Sequence, residues 1–223
     1  LSPLRPGCPP KAAGSALGLA FPVAMLSTYP FIWHWLRELP ADNGRPVVAL
    51  ATCGGSSLRG LWRPLAQLLR ARGYVPVAAR ELVFPNNVFV IDTAARNRRR
   101  LERGLRASEQ YAADWLAGRA TWPGLPLLDD SIGAFAQACL RLAQTALHQR
   151  IVRMGLDRAT CTGCGICRRE CPVGNISGEH DPQFGDHCQY CLRCAAECPT
   201  AAIRPPFNWR GKRYRAAQII AEP

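Results

Sequence analysis

The sequence has few histidines, few methionines and almost no lysine. Its four histidines, His34, His148, His180 and His187, are scattered along the chain. No pair of residues stands out as an acid and its base or as an activated nucleophile, so the sequence offers no evident catalytic constellation. Hydrophobic residues make up 48% and charged residues 20% of the 223 positions. This composition is globular and excludes a wholly disordered or collagen-like chain.

No stretch has the features of a secretory signal peptide. Residues 12–36 carry no Asp, Glu, Lys or Arg, and such a segment is long enough to span a bilayer. Pro22, Pro30 and several polar residues interrupt it, which favours a buried strand, a loop and the start of a helix. We therefore predict no membrane span, and we expect a cytoplasmic protein.

The charge is strongly basic but unevenly distributed. There are 28 basic and 16 acidic residues, a formal net charge of +12, and only Lys11 and Lys212 are lysines. Such an excess suggests nucleic acid, anionic lipid or an acidic protein as partner. Residues 156–208 contain five arginines against six acidic residues, so this part is near neutral.

Strand and helix patterns alternate in the first half of the chain. Strands are predicted at residues 16–21, 46–52 and 74–84, with helices at 31–39 and 58–72 between them. Pro22 ends the first strand in this prediction, Pro64 marks a kink or a later start of the second helix, and Pro76 suggests an edge strand. The βαβαβ order predicts a parallel sheet covered by helices.

Two further helices are predicted before the cysteine-rich part. The first spans residues 92–116; its predicted apolar face is Ala94, Leu101, Leu105, Ala112 and Trp115 or Leu116. An arginine stripe occupies another face, formed by Arg96, Arg99 or Arg100, Arg103 and Arg106. The stripe is either a solvated face or a docking surface for an acidic partner.

The second helix follows a Pro/Gly connector at residues 118–128. Ser131 is predicted to be its N-cap. Its predicted apolar face is Ile132, Phe135, Cys139, Leu142 and Ala146. This spacing predicts that Cys139 is a buried structural thiol.

Eight of the 11 cysteines fall between positions 161 and 198. Bunching of this kind indicates metal binding in a reducing compartment rather than a disulfide scaffold. Residues 161–176 read CTGCGICRRECPVGNI and residues 188–203 read CQYCLRCAAECPTAAI. Each copy contains the run C-x2-C-x2-C-x3-C-P, and the two copies are offset by 27 residues.

This doubled run is the ferredoxin pattern for two 4Fe-4S clusters, in which the fourth cysteine ligates the other cluster. Two-residue gaps let three thiolates surround one cube, and the next cysteine reaches the second cube. Cluster one is therefore assigned Cys161, Cys164, Cys167 and Cys198, and cluster two is assigned Cys188, Cys191, Cys194 and Cys171. Zinc is the rival interpretation, although zinc sites separate their C-x2-C pairs by longer loops.

The cysteine-rich part resembles bacterial two-cluster ferredoxins over roughly residues 156–206. The order of parts in the whole chain resembles the flavodoxin–ferredoxin fusion proteins, sometimes called ferrodoxins. The matching stretches are residues 18–29, 51–57, 83–87, the eight cysteines and the tail 208–214. The resemblance implies a flavodoxin-like domain that binds FMN, with residues 22–28 and 52–57 as loops beside the flavin.

The FMN-binding residues implied by this resemblance are Thr52, Gly54, Gly55 and Asn86, with Asn87 as the alternative to Asn86. Gly54 and Gly55 are also explained by a tight turn after a strand. Cys53 in the same loop is either a small packing residue or a reactive thiol.

One feature departs from the fusion family. Flavodoxin-like domains begin with a strand and a phosphate-binding loop, and no such segment precedes the first predicted strand. That strand is apolar on both faces, as an interior strand is. We therefore expect a truncated flavodoxin-like domain, the alternative being a protein that does not bind FMN.

The predicted architecture is an incomplete α/β flavodoxin-like parallel sheet followed by a small α+β two-cluster ferredoxin domain. The predicted divisions are a partial flavodoxin-like domain at 1–120, a connector and helix at 121–155, the ferredoxin domain at 156–206 and a tail at 207–223.

The predicted function is electron transfer between redox proteins, with an acidic partner, and a carrier is favoured over a stand-alone oxidoreductase. An iron–sulfur flavoprotein reductase subunit is the first alternative. A nucleic-acid-binding iron–sulfur protein is disfavoured, because no aromatic residues are interleaved with the arginine stripe.

Overall fold

The computed structural model describes residues 15–55, 60–86, 92–124 and 128–207, which group into two compact units. The first unit contains the described residues up to Phe84 together with Arg100–Leu140, and the second contains the described residues of 85–99 and those from Arg141 onward. The division falls inside one long helix, between Arg99 and Arg100. The domain boundaries expected from the sequence stay predictions.

The first unit is built on a four-stranded sheet. Its strands are β1 (Leu17–Ala24), β2 (Ser27–Thr28), β3 (Pro46–Cys53) and β4 (Val75–Val83). Their spatial order is β2-β1-β3-β4; β1, β3 and β4 are parallel, and β2 turns back antiparallel to the end of β1. The predicted parallel core is thus present within a mixed sheet, and β4 is an edge of the described sheet, as Pro76 indicated.

Two helices connect the parallel strands, α1 (Pro30–Arg37) and α2 (Trp62–Ala71). Pro30 occupies the first turn of α1, where its missing N–H costs no hydrogen bond. The structure begins α2 at Trp62, later than the predicted residue 58, so Pro64 also lies in a first turn. Residues 56–59 of the loop before α2 lie outside the described residues.

The strand β1 continues through Pro22, where the sequence predicted its end. Pro22 pairs with Thr52 of β3, and its carbonyl oxygen accepts a hydrogen bond from Thr28 Oγ1 at 2.8 Å. Among the described residues, the side of β1 away from β3 pairs only at Val23 and Ala24. Proline is tolerated at such edge positions because no partner strand needs its N–H.

The core of this unit follows the strand and helix periods. On β3, Val47, Ala49 and Ala51 are fully buried and alternate with half-buried residues. On α2, Leu65 and Leu69 are fully buried at helical spacing.

The helix α3 (Ala94–Leu116) buries a different face from the predicted one. Of the predicted apolar positions only Leu101 is buried; the exposed ones are Ala94, Leu105, Ala112, Trp115 and Leu116. The buried positions are Asn97, Leu101, Gly104 and Tyr111. In the arginine stripe, Arg96, Arg99, Arg103 and Arg106 are exposed and Arg100 is half-buried, which is compatible with either interpretation of it.

A glycine and a tyrosine determine which face of α3 is buried. Neither belongs to the apolar residues from which the buried face was predicted. A Cβ on Gly104 would lie 3.0 Å from the Phe84 ring and from the Val83 carbonyl oxygen, so a larger residue here would require these groups to move back. The Tyr111 hydroxyl donates to the Ala49 carbonyl oxygen at 3.4 Å.

The helix α4 (Leu128–Leu142) also differs from its prediction. It begins before Ser131, which therefore does not cap it, and it ends at Leu142. Phe135 and Leu142 are exposed and Cys139 is half-buried, whereas Ala136 and Leu140 are buried. The cause is a close approach of backbones: a Cβ on Gly60 would lie 2.9 Å from Gly133 Cα, so the glycine side of α4 faces inward.

The second unit contains short elements around the cysteine runs. They are α5 (Ala146–Ile151), β5 (Gly155–Leu156), α6 (Ile166–Glu170), β6 (Ile176–Ser177), β7 (Gln183–Phe184), α7 (Arg193–Glu197) and β8 (Ile203–Arg204). β5 pairs antiparallel with β8, and β6 pairs antiparallel with β7. A small core joins them, with Met154, Ile176, Leu192 and Ile203 buried beside the cysteines.

No helix in the described ranges is both long and apolar enough to cross a membrane. The tail at 208–214 lies outside the described residues.

Candidate metal centres

The two cysteine runs adopt the same local structure. Cys167 lies in α6 and Cys194 in α7, each a helix of five residues. Cys171 and Cys198 follow these helices in extended conformation, with ψ of 114° and 117°. A proline follows each of them, which prevents the helix from continuing. The fourth cysteine of each run therefore lies beyond the helix, in extended backbone.

Three equivalent backbone positions in the two runs have left-handed conformation. They are Gly163 and Tyr190 (φ 66° and 51°), Gly165 and Leu192 (68° and 59°), and Gly174 and Ala201 (65° and 59°). The members of each pair are 27 residues apart. The first run uses glycine at all three positions, whereas the second run uses residues for which this conformation costs about 1–2 kcal/mol each.

The electrostatic neighbours of the thiols place seven of the eight in two sets. Cys171, from the first run, interacts with thiols of the second run, which are Cys188, Cys191 and Cys194. Cys198, from the second run, interacts with Cys167 of the first, whose other thiol neighbour is Cys164. This grouping agrees with the crossed ligation that the spacing predicts, and ligation itself stays a proposal.

A cavity lies at the second set. Its lining includes Cys171, Cys188, Cys191 and Cys194 together with the apolar side chains of Met154, Val173, Ile176, Phe184 and Leu192. Thiols around an apolar cavity fit an iron–sulfur cluster, whose ligands are thiolates and whose surroundings exclude water.

Burial dominates the acidity of the second set. It raises the pKa of Cys188 and Cys194, and it raises the pKa of Cys191 to about 11. Neighbouring thiols raise the pKa of all three further. Without metal these groups are neutral thiols at pH 7, so metal binding must release their protons.

The first set contains an exposed thiol, Cys164. Cys161, which the spacing assigns to the same cluster, is half-buried, whereas Cys167 and Cys198 are buried. Burial raises the pKa of Cys167. For Cys198 burial acts in the same direction, but hydrogen bonds from the Thr200 hydroxyl and from nearby backbone N–H groups hold its pKa below the usual value.

Backbone N–H groups point at sulfur atoms in the second set. The Asn175 N–H donates to Cys171 Sγ at 3.2 Å, and the Tyr190 N–H donates to Cys188 Sγ at 3.4 Å. Such bonds stabilise negative charge on thiolates and are one of the features that determine the reduction potential of a cluster.

Within the described ranges, no three Cys, His, Asp or Glu side chains lie close enough together to hold a single metal ion. Cluster ligation does not require that arrangement, because each thiolate binds a different iron atom of the cube.

Comparisons with known proteins agree with this geometry. A family model described as a 4Fe-4S dicluster domain matches residues 153–202. An uncharacterized ferredoxin of Methanocaldococcus jannaschii is 36% identical over 58 residues, which cover 23% of this chain and 75% of that protein. The chain belongs to the ferredoxin family.

Two further relatives are pyruvate synthase subunits named PorD. The subunit of Methanothermobacter marburgensis is 43% identical over 49 residues, covering 22% of this chain and 59% of the relative. That of Methanocaldococcus jannaschii is 39% identical over 57 residues, covering 24% and 66%. The chain therefore spans less than two thirds of the length of either subunit.

The ferredoxin match confirms a 4Fe-4S iron–sulfur domain in the C-terminal part and supports an electron carrier, as the sequence predicts. The flavodoxin part of the resemblance is not shown by these comparisons and stays a prediction.

Four of the residues predicted to bind FMN lie in the described part of the chain, and their role in binding FMN stays a prediction. Thr52 lies in β3, and Gly54 and Gly55 follow that strand in the first unit. Asn86 belongs to the second unit, and Asn87 lies outside the described residues. Cys53 is buried, which favours its packing role over that of a reactive thiol.

Sequence reasoning missed a residue outside the family-matched segment that contacts a predicted ligand. Gln149 of α5 is buried and hydrogen-bonds the backbone of Cys188, 39 positions away. No spacing rule marks a contact at that separation. The left-handed residues of the second run were detectable, because the 27-residue offset aligns Tyr190 and Leu192 with glycines.

Proposed function

We propose that this ferredoxin-family chain carries two 4Fe-4S clusters with crossed ligands and transfers single electrons between redox proteins. The grouping of the thiols into two sets, each including cysteines of both runs, is the observation that supports it best. The proposed ligands are Cys161, Cys164, Cys167 and Cys198 for cluster one and Cys188, Cys191, Cys194 and Cys171 for cluster two. When bound, each cluster supplies a centre that accepts and donates one electron.

The protein's own contribution is to bind, enclose and charge-stabilise these centres. The apolar side chains of the second cavity exclude water, and backbone N–H groups donate to Cys171 and Cys188. Crossed ligands join the two runs covalently through each cluster, so the ferredoxin domain depends on its metal for stability.

The exposed Cys164 makes cluster one the proposed site of electron exchange. Arg168 and Arg169 are also exposed beside this set, and Arg169 Nη1 donates to the Cys164 carbonyl oxygen at 3.1 Å. A basic surface next to an accessible cluster favours an acidic redox partner, because opposite charges speed encounter. The two relatives named as pyruvate synthase subunits support a pyruvate synthase subunit as one such partner. We further propose that the protein acts in the cytoplasm.

The first unit is proposed to be a flavodoxin-like sheet, supported by its three parallel strands and by the loop after β3. The residues described do not fit an FMN site on their own. The strands β1, β3 and β4 follow chain order, so the described sheet lacks the reversal at which such folds bind their ligand. No step is therefore assigned to a flavin.

The test is anaerobic reconstitution of the full chain with iron and sulfide, followed by iron and sulfide counts and voltammetry. We expect about eight iron and eight sulfide per chain and two one-electron waves. About four iron, or stoichiometric zinc binding without sulfide, would contradict the proposal. FMN added to the same sample reports separately on the first unit: stoichiometric binding would favour the reductase-subunit alternative.

A further inference from the structure

The helix α5 lies just outside the segment that matches the family model, which begins at residue 153. Thr145 caps it, accepting a hydrogen bond from the His148 N–H at 3.4 Å. Its outer face is apolar and exposed at Leu147 and Ile151. Its inner face carries Gln149, which is 4% exposed.

The carboxamide of Gln149 hydrogen-bonds both backbone polar groups of Cys188, its N–H and its carbonyl oxygen. Its Oε1 accepts from the Cys188 N–H at 3.1 Å, and its Nε2 donates to the Cys188 carbonyl oxygen at 2.9 Å. The same Nε2 donates to the Ala143 carbonyl oxygen at 2.8 Å. Three hydrogen bonds thus fix a buried side chain, and leaving such groups unpaired costs about 1–3 kcal/mol each.

A second contact from the α5 segment holds the next turn of the loop. The Tyr190 hydroxyl donates to the Val152 carbonyl oxygen at 2.7 Å and lies 3.1 Å from His148 Nδ1. Tyr190 has the unfavourable φ of 51°, and its N–H donates to Cys188 Sγ. The loop that presents Cys188 is therefore anchored on both sides of its sulfur.

We infer that Gln149 is a positioning residue for cluster two: it fixes the Cys188 peptide, and through it the direction of the thiolate. This rests on the proposed two-cluster function. The equivalent cysteine of the first run, Cys161, has a different partner, since its N–H donates to the Asp157 carbonyl oxygen within the same turn. Of these two cysteines, Cys188 of the proposed second cluster is the one whose backbone is held by a side chain from a distant helix.

The experiment compares Gln149→Leu and Gln149→Glu with Gln144→Leu in the reconstituted full chain. Leucine removes the carboxamide, and glutamate keeps an acceptor for the Cys188 N–H while adding a negative charge. Gln144 is the matched control, because its carboxamide donates to the side chain of Gln189 in that loop, at 3.2 Å. The readouts are iron release to a chelator and the two voltammetric waves.

We expect half of the iron in Gln149→Leu to be released at least about tenfold faster, since losing even one of the three buried hydrogen bonds weakens the folded loop by about that factor. Gln149→Glu should lower the potential of the same single wave, while the other wave and the Gln144→Leu protein stay unchanged. Equal shifts of both waves, or no change in either variant, would overturn the inference. Wild-type protein without two waves would instead contradict the proposed function.

Discussion

The two cysteine runs share a sequence pattern and a backbone path but have different surroundings. The first run is glycine-rich, has Cys164 exposed, and uses local turns. The second run has non-glycine residues at the same left-handed positions, lies around an apolar cavity and is braced by α5. Cluster geometry depends on backbone shape, which both runs preserve. Burial and charge depend on side chains, which have diverged, so the two proposed clusters are expected to differ in accessibility and potential.

The largest expected effect comes from removing one of the two proposed crossed ligands. Cys171→Ala should remove cluster two, although Cys171 belongs to the first run, and reconstitution should yield about four iron instead of eight. Iron counts and voltammetry measure this, with Cys139→Ala as control, because Cys139 of α4 lies outside both runs. If Cys171→Ala lost the same wave as Cys164→Ala, crossed ligation would be wrong.

Next in size is the apolar wall of the second cavity. Leu192 is 4% exposed, and Leu192→Ala should reduce the free energy of unfolding by about 2–4 kcal/mol, through lost contacts and a new cavity. Leu147→Ala, at an exposed position of the same unit, should cost less than about 0.5 kcal/mol. Denaturant unfolding of the anaerobic holoprotein compares the two. Equal losses would show that Leu192 has no special part in closing the cavity.

The equivalent left-handed positions of the two runs can be tested by exchanging glycine and alanine between them. A Cβ at Gly174 would contact nothing within 4 Å, so Gly174→Ala should cost only the conformational penalty, about 1 kcal/mol. At the equivalent position Ala201→Gly should stabilise by a similar or smaller amount. Paired unfolding curves test the signs. A stabilising Gly174→Ala would show that these positions are not strained.

The smallest expected effect is electrostatic. Arg193 pairs with Glu170 and favours the Cys191 thiolate, whereas Arg158 pairs with Asp181 and interacts with Cys161. Arg193→Glu should lower the potential of cluster two, and Arg158→Glu that of cluster one, by roughly 20–50 mV each. Voltammetry of the two variants measures both waves. The same wave moving in both would contradict the assignment of these arginines to different clusters.

The assignment of cysteines to clusters rests on spacing, which is a local property of the chain, and it stays a prediction. The structure does show the same turn in both runs, with Cys171 and Cys198 in extended backbone after a short helix. The order of strands and helices was also predictable, since Pro46–Cys53 and Trp62–Ala71 carry strong periodic patterns.

The helix faces were not predictable from apolar periodicity. In α3 the inward side is chosen by Gly104, which admits the Phe84 ring, and by Asn97 and Tyr111, which an apolar count omits. In α4 the close approach of Gly133 to Gly60 leaves Phe135 exposed. A glycine determines which helix face is buried, because it lets another backbone or ring approach closely. The approaching group belongs to an element distant in the chain, so periodicity alone does not reveal it. Gln149 escaped prediction for the same reason.

The most direct measurement is diffraction from crystals of the anaerobically reconstituted chain at the iron absorption edge. The account predicts two groups of four iron atoms, one beside Cys161, Cys164, Cys167 and Cys198 and the other beside Cys188, Cys191, Cys194 and Cys171. A single group of iron atoms, isolated single ions, or two groups each ligated by one run alone would contradict it.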